Sequence, residues 1–285
     1  MRSRFPSRRS FSRGQRRAVG LTVLLFGLAC GADRPAAAGD GATVCAPQQT
    51  GEGVVAHAID GQTLALDDGR LVALSAIAAP LPPLGRHESD WPLARVARTA
   101  LDDLAAGRSI TFAAPEASPD RYGRIRAFAT AAGTARALAD AMLAAGLARV
   151  MPGAEPFACL APFFATEREA REKRLGLWAD PYYAIRTARD RTLADRSGTY
   201  DVIEGRIASV GLRGSTAYLD FGRDWRTDFT AVVTGAAGEA LVALGHPPAM
   251  LAGRMVRLRG WIEQRDGPSL RITHPAQIEL LDDGD

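Results

Sequence analysis

From Gly51 the chain alternates apolar and polar positions in short runs: VVAHAI over 54–59, TLALD over 63–67 and RLVALSAIA over 70–78. Asp60-Gly61 and Asp67-Asp68-Gly69 separate them. Alternation with a period of two between such turns predicts a three-stranded meander. After prolines 80, 82 and 83 the period changes. Leu93, Val96, Ala97, Ala100, Leu101 and Leu104 recur at helical spacing, with Ser89 or Asp90 as N-cap and Pro92 in the first turn. Two further strands, SITFAA (109–114) and RIRAFAT (124–130), flank a turn at 119–123. Helices are predicted over about 135–145 and 157–175. The second pairs Glu167 with Arg171 and Glu169 with Lys173 at i,i+4, and Gly176 is its expected cap.

Three strands, a helix and two strands is the order of an OB-type Greek-key barrel. The order then recurs. Runs at 201–211, 216–222 and 228–234 read as three strands, 237–251 as a helical crossover, and 254–264 and 269–281 as two more strands. The predicted fold is mainly β with α (α+β): an OB barrel over 51–180, a Thr- and Arg-rich linker over 181–199, and a second OB-like five-stranded barrel over 200–283.

At 47% hydrophobic and 24% charged, the 285 residues suit one or two ordinary cores rather than a disordered polyelectrolyte or a membrane bundle. The formal charge of +3, carried by 34 Arg and the single Lys173, invites a polyanionic partner. Its distribution removes that argument. The first 38 residues hold eight Arg and one acid, leaving 27 basic and 31 acidic residues over 39–285, a balance of −4.

That N-terminus reads as an address. Seven Arg lie within 2–17, followed by 13 apolar residues over 18–30, too few to span a bilayer but suited to a signal peptide. Ala36-Ala37-Ala38 then supplies a small-x-small cleavage pattern, so 1–38 is read as a signal peptide. Ser7 to Phe11 resembles a twin-arginine signal. Leu28-Ala29-Cys30-Gly31 has part of a lipobox, but Gly27 stands where Leu is usual, so a lipid anchor at Cys30 is the lesser reading. The expected location is periplasmic or secreted, with no transmembrane segment in the mature chain. Cleavage leaves Cys45 and Cys159, an even pair expected to form a disulfide in an oxidising compartment; two unrelated buried thiols are the alternative.

The predicted second barrel interleaves Arg223, Trp225 and Arg226 with Phe221 and Phe229 between its second and third strands, where OB folds place ligands. Arg257, Arg259 and Trp261 share a face of its fourth strand. The structural alternative is that Trp225 and Phe229 plug the barrel while Asp224 and Asp228 pair with the arginines. His57, His87, His246 and His274 lack metal-ligand spacing.

Four stretches of the first barrel resemble the staphylococcal-nuclease (thermonuclease) family: Ile59-Asp60-Gly61-Gln62-Thr63, the strand LSAIAAP over 74–80, Asp120-Arg121-Tyr122-Gly123-Arg124, and the closing helices at 144–150 and 169–178. The resemblance implies an OB barrel with a phosphodiester-cleaving site. Two aspartates there hold Ca²⁺, a glutamate handles the water and two arginines hold the phosphate. Carried over position by position, the metal aspartates fall on Gln62 and Ala78, the backbone ligand on Ala79, the glutamate on Leu81 and one arginine on Ala73. Only Tyr122 and Arg124 remain. Arg70 sits three residues from Ala73, on the opposite strand face. The nearest acids, Asp60, Asp67, Asp68, Glu88 and Asp90, fall in turn or cap chemistry.

The resemblance therefore implies a family member without the Ca²⁺ ligands, with no cofactor expected. The expected function is an exported, catalytically impaired homologue binding single-stranded nucleic acid or an envelope protein through Gln62, Tyr122, Arg124, Arg223, Trp225 and Arg226. The alternative is an active phosphodiesterase using a relocated carboxylate such as Glu88, or a different metal.

Overall fold

A computed structural model describes residues 49–281 apart from 84, 117 and 225. The expected signal peptide, Cys30, Cys45 and Trp225 lie outside these residues.

The meander forms as β1 (Gln49–Ala58), β2 (Thr63–Leu66) and β3 (Leu71–Leu74). The third run then breaks: Ala76 takes a left-handed φ of 64°, and β4 (Ile77–Ala78) leaves the barrel to pair with β7 (Arg149–Val150). Helix α1 (Pro92–Ala105) leads to β5 (Ser109–Ala114) and β6 (Arg124–Ala131). The strands close in the order β1-β2-β3-β6-β5, with β3 and β6 parallel and β5 returning to β1. That is the OB arrangement predicted.

Local details differ. The N-cap of α1 is Trp91 rather than Ser89 or Asp90, because a 3-10 turn, Glu88–Asp90, precedes it and Pro92 at N1 fixes the start. Val96 points outward, and Ala94, Ala97, Leu101 and Ala105 form the buried stripe. Small residues let α1 approach the β1–β2 turn closely; a Cβ on Gly61 would lie 2.6 Å from that of Ala97. Helices α2 (Leu138–Ala144) and α3 (Phe157–Glu172) follow. Gly176 does not cap α3: Arg174 takes the left-handed turn, while Gly176, also left-handed, packs where a Cβ would strike the carbonyl of Gly146.

The segment expected to be a linker is part of the packed structure. It contributes β8 (Arg186–Thr187), parallel to β9 (Tyr200–Arg206), and a 3-10 turn, Arg191–Arg196, that buries Leu193. The predicted strand 201–211 divides into β9 and β10 (Ser209–Arg213), and β11 (Thr216–Asp220), β12 (Thr230–Val233) and helix α4 (Gly235–Ala243) follow. Next come β13 (Met255–Arg265) and β14 (Gly267–Ile272). The order β10-β11-β12-β14-β13-β9, with β12 and β14 parallel, repeats the first barrel. Two hydrogen bonds cover the break between β9 and β10: Ile207 N–H donates to Arg254 and Ala208 N–H to Asp220.

The last predicted strand also divides. Pro275 cannot donate to a ladder, so the chain turns at Pro275–Gln277 and re-pairs with β13 as β15 (Ile278–Leu281). With β8, β15 and the divided first strand, the sheet exceeds the five strands expected. His274 caps the turn, accepting from Ala276 N–H at Nδ1 (3.1 Å), and its Nε2 lies 2.8 Å from the Glu155 carbonyl, which assigns the proton to Nε2.

Burial holds the His274 pKa below its usual value, partly offset by Glu155. The folded state therefore binds fewer protons than the unfolded chain. Stability from this site is present above the unfolded pKa of about 6.5 and is lost as pH falls through the depressed folded value. His274→Asn, which preserves a capping acceptor, should flatten the urea-midpoint profile between pH 7 and 5. An unchanged profile would contradict the assignment.

Each barrel has its own core, and the two pack as one compact unit. Arg259 on β13 is 1% exposed and reaches Glu167 on α3 at 2.8 Å and Glu279 on β15 at 3.0 Å. Glu167, expected to pair with Arg171, is thus turned inward; Glu169 does meet Lys173, at 3.5 Å. Arg257 bridges Glu204 and Glu279. Among the described residues no helix is long and apolar enough to cross a membrane.

Candidate functional site

The β1–β2 turn, the chain following β4 and the 119–123 turn lie on one side of a 430 Å³ cleft between the barrels. Gln62, Ala78, Ala79, Leu81 and Tyr122 line that side. The structure therefore brings five of the residues carried over from the resemblance to one cleft, while Ala73 and Arg124 are not among its lining residues. It also fixes their chemistry. Gln62 Oε1 accepts the Ala79 N–H at 2.8 Å, which joins two of the positions where the resemblance calls for metal ligands. Ala78 offers a methyl group and Leu81 an isobutyl group, and no acid lines the cleft. Ca²⁺ requires six to eight oxygens, several of them charged. The residues present do not fit it.

The nearby acids serve their own turns. Asp60 accepts from Gln62 N–H and the Thr63 hydroxyl. Asp68 pairs with Arg70, whose bond lowers the carboxyl pKa. Arg70 also donates to the Glu52 carbonyl. Glu88 lies in the 3-10 turn before α1, and its side chain is outside the described ones. Among the described residues no cluster of three or more His, Cys, Asp or Glu suits a metal.

Arg124 is held in its own turn. Its Nε and Nη2 lie 2.9 and 2.8 Å from Asp120 Oδ2. Burial opposes ionisation of Asp120, but the hydrogen bonds from Arg124 and Tyr122 prevail and lower its pKa. Tyr122 is 61% exposed at the rim, with the guanidinium groups of Arg121 and Arg124 4.8 and 5.1 Å from its ring centre.

The other wall comes from later elements. Tyr182 and Tyr183 follow the closing helix, Tyr200 opens β9 and Trp261 lies on β13. Trp261 is half exposed and meets the Tyr200 ring edge-on at 5.6 Å. At the floor lie Arg149 and Arg196, which converge on Asp201 buried behind it. Arg196 makes bonds of 2.6 and 2.9 Å to it, and Arg149 lies 3.6 Å away. Arg149 also donates to the carbonyls of Tyr183 and Tyr200. Burial lowers the Arg149 pKa, with Asp201 opposing. Arginine ordinarily titrates so far above neutrality that the group remains a cation. Two cations share this carboxylate, with Glu167 also acting on Arg149 and Asp190 on Arg196. Burial pushes the Tyr183 phenol up to about 12, so it is neutral and accepts from Trp91 Nε1 at 2.7 Å.

On the second barrel, Arg223 and Arg226 are exposed, and the structure does not bring them to the cleft. Asp224 and Asp228 hold this loop through backbone amides. Phe229 is buried against Phe221. Of the strand face read as a binding surface, Arg257 and Arg259 are spent on inter-element ion pairs, and only Trp261 reaches the cleft. Sequence reasoning missed Arg149, Tyr182, Tyr183, Arg196 and Tyr200. The adjacent Tyr182-Tyr183 was the one local signal.

The first barrel is of the OB class, with a cleft beside its β1–β2 turn. The family model described as staphylococcal nuclease homologue matches residues 73–180, so the chain is similar to that family from β3 through the closing helices. The match begins inside β3 and leaves out β1, β2 and Gln62. Comparison with curated proteins gives no match.

Proposed function

We propose that this chain is an exported, catalytically impaired member of the nuclease family that binds single-stranded nucleic acid in the inter-barrel cleft without cleaving it. The observation that carries the reading is the Gln62–Ala79 hydrogen bond in a cleft lined by no acid. Phosphodiester hydrolysis needs cations against the transferring phosphoryl group and an oriented or deprotonated water. Methyl groups and an engaged amide supply neither. Stacking on aromatic side chains, combined with cationic groups, is how single strands are held without sequence preference, and Tyr122, Tyr200 and Trp261 beside the guanidinium groups of Arg149 and Arg196 support that mode. Export rests on the Arg-rich, apolar, small-residue pattern of 1–38, and with it goes a Cys45–Cys159 disulfide.

The test uses the chain lacking 1–38 with fluorescent oligothymidylate and oligouridylate. No cleavage is expected with or without Ca²⁺. Anisotropy should report binding that weakens as salt rises, and Trp261→Ala should weaken it about 5- to 100-fold, from the roughly 1–3 kcal/mol of one stacked base. Cleavage abolished by chelator and by Arg124→Ala would overturn the reading in favour of an active phosphodiesterase. Absence of salt-sensitive binding would turn the search to an envelope protein.

A further inference from the structure

A second surface, separate from the cleft, lies on the outside of the second barrel. The register puts Gly211, Tyr218, Val232 and Arg271 in one row across β10, β11, β12 and β14, and Ser209, Asp220, Thr230 and Ser269 in the next. Partners two residues apart on each strand share a face, so the row containing Tyr218 and a hydroxyl-rich row lie side by side. Gly211, Tyr218, Val232, Asp220, Thr230 and Ser269 line an open groove of 520 Å³, bordered by Leu212 and Arg213 at the β10–β11 hairpin and by Arg265 and Asp266 at the β13–β14 turn.

Three features define what fits this groove. Gly211 stands opposite Tyr218, and the nearest atom a Cβ there would meet is the Tyr218 Cβ at 3.9 Å, an ordinary contact. Gly211 is also absent from the glycines of positive φ. Neither crowding nor backbone conformation requires glycine at this position, and its lack of a side chain adds no cover over Tyr218, which is half-buried and lines the groove. Beside the ring, the Asp220 carboxylate accepts from Thr230 Oγ1 at 3.0 Å and lies 3.4 Å from Ser209 Oγ, presenting acceptors and hydroxyls together. The charges cancel: Arg213, Arg265 and Arg271 face Asp220, Glu263 and Asp266, with Glu263 2.9 Å from Arg265 and 3.6 Å from Arg271.

A polyanion gains affinity by exchanging counterions for unpaired cations, and this groove has no surplus of them. A neutral polymer with apolar ring faces and many hydroxyls matches a groove-lining aromatic ring next to a carboxylate and hydroxyls. The strand 2–3 face and its adjoining loops are also where OB barrels take oligosaccharides. We propose that this face of the second barrel binds a neutral, extended oligosaccharide, with Tyr218 stacking on a sugar ring and Asp220 accepting from its hydroxyls.

The full chain is titrated calorimetrically with β-1,4-linked N-acetylglucosamine and glucose tetramers. Saturable binding to at least one is expected. Tyr218→Ala and Gly211→Leu should each weaken it at least tenfold, the second by covering the ring without removing a polar group, while thermal midpoints confirm folding. Trp261→Ala, in the cleft, should leave it unchanged, so failure here is distinguishable from failure of the nucleic-acid reading. The proposal is overturned if neither sugar saturates, if Gly211→Leu binds like the parent, or if oligothymidylate displaces the sugar.

Discussion

Replacing Arg259 with methionine is expected to lower the unfolding free energy by about 3–5 kcal/mol, the usual penalty for breaking a buried ion pair on one side. Glu167 is 1% exposed, and its carboxylate would keep only the Val150 N–H at 2.8 Å. Glu279 is less affected, because Arg257 remains 2.9 Å away and its side chain is 28% exposed. The Arg259 guanidinium also lies 4.5 Å from the Phe164 ring centre, a contact that methionine partly replaces. Burial opposes charge on Arg259, but Glu167, Tyr200 and Glu279 prevail and hold its pKa above the usual arginine value. Adding Glu167→Leu to Arg259→Met should recover most of the loss, since well-packed apolar pairs often match buried ionic ones. Urea unfolding followed by tryptophan fluorescence measures both. A single-variant loss below about 1 kcal/mol would show that water reaches this interface. Acid provides a second readout. Burial raises the Glu279 pKa, but Arg259 and Arg257 outweigh it and leave the folded value below the unfolded one near 4.5. This contribution is therefore present above that pH and lost as pH falls through the folded value. Arg259→Met should reduce that acid-dependent part.

The first barrel was legible because its information is local. Period-two runs between turns and one period-3.6 segment define β1, β2, β3, β5, β6 and α1, though not the break at Ala76 that sets β4 apart, and close packing at Gly61 selects the small side chains of α1. The residues lining the cleft were legible for the same reason: their chemistry depends on residue identity at a few turn and strand-end positions, and Gln62, Ala78 and Leu81 carry that information in any fold. What failed were choices between local and distant partners. Glu167 stands four residues from Arg171 and 92 from Arg259, and local spacing favoured the first. Burial against the second barrel decided for Arg259. Likewise, Arg257, Arg259 and Trp261 share a strand face, but only the position of α3 reveals that two of them are covered while the third lines a cleft. The break at Pro275 was readable, because a proline inside an apparent ladder strand argues against one continuous strand.

Reduction of the chain is expected to produce the other large loss. In the chain-entropy account, a Cys45–Cys159 disulfide closing a loop of over 100 residues contributes about 2–4 kcal/mol. The tie would act where the barrel closes. β1 starts at Gln49 and its first six residues pair with β5, so fixing the chain ahead of Gln49 favours this closure. Cys159 lies in the first turn of α3, and that helix packs on the same wall through Phe163, stacked 5.7 Å from Phe128 of β6. Dithiothreitol should therefore shift the urea midpoint downward in the parent and leave Cys45→Ser/Cys159→Ser unchanged, with the double variant starting from the reduced parent's stability. Thiol alkylation of the unreduced, urea-unfolded chain lacking 1–38 supplies the contrary result: two labelled cysteines would remove the disulfide. Cys159 and Glu167 are eight residues apart on one helix, about 12 Å at the helical rise, so the disulfide and the Glu167–Arg259 pair are far enough apart to act independently. Reduction and Arg259→Met should then add to within about 0.5 kcal/mol. A larger shortfall would mean that the helix transmits one constraint to the other, and that the two barrels share a single cooperative unit along α3.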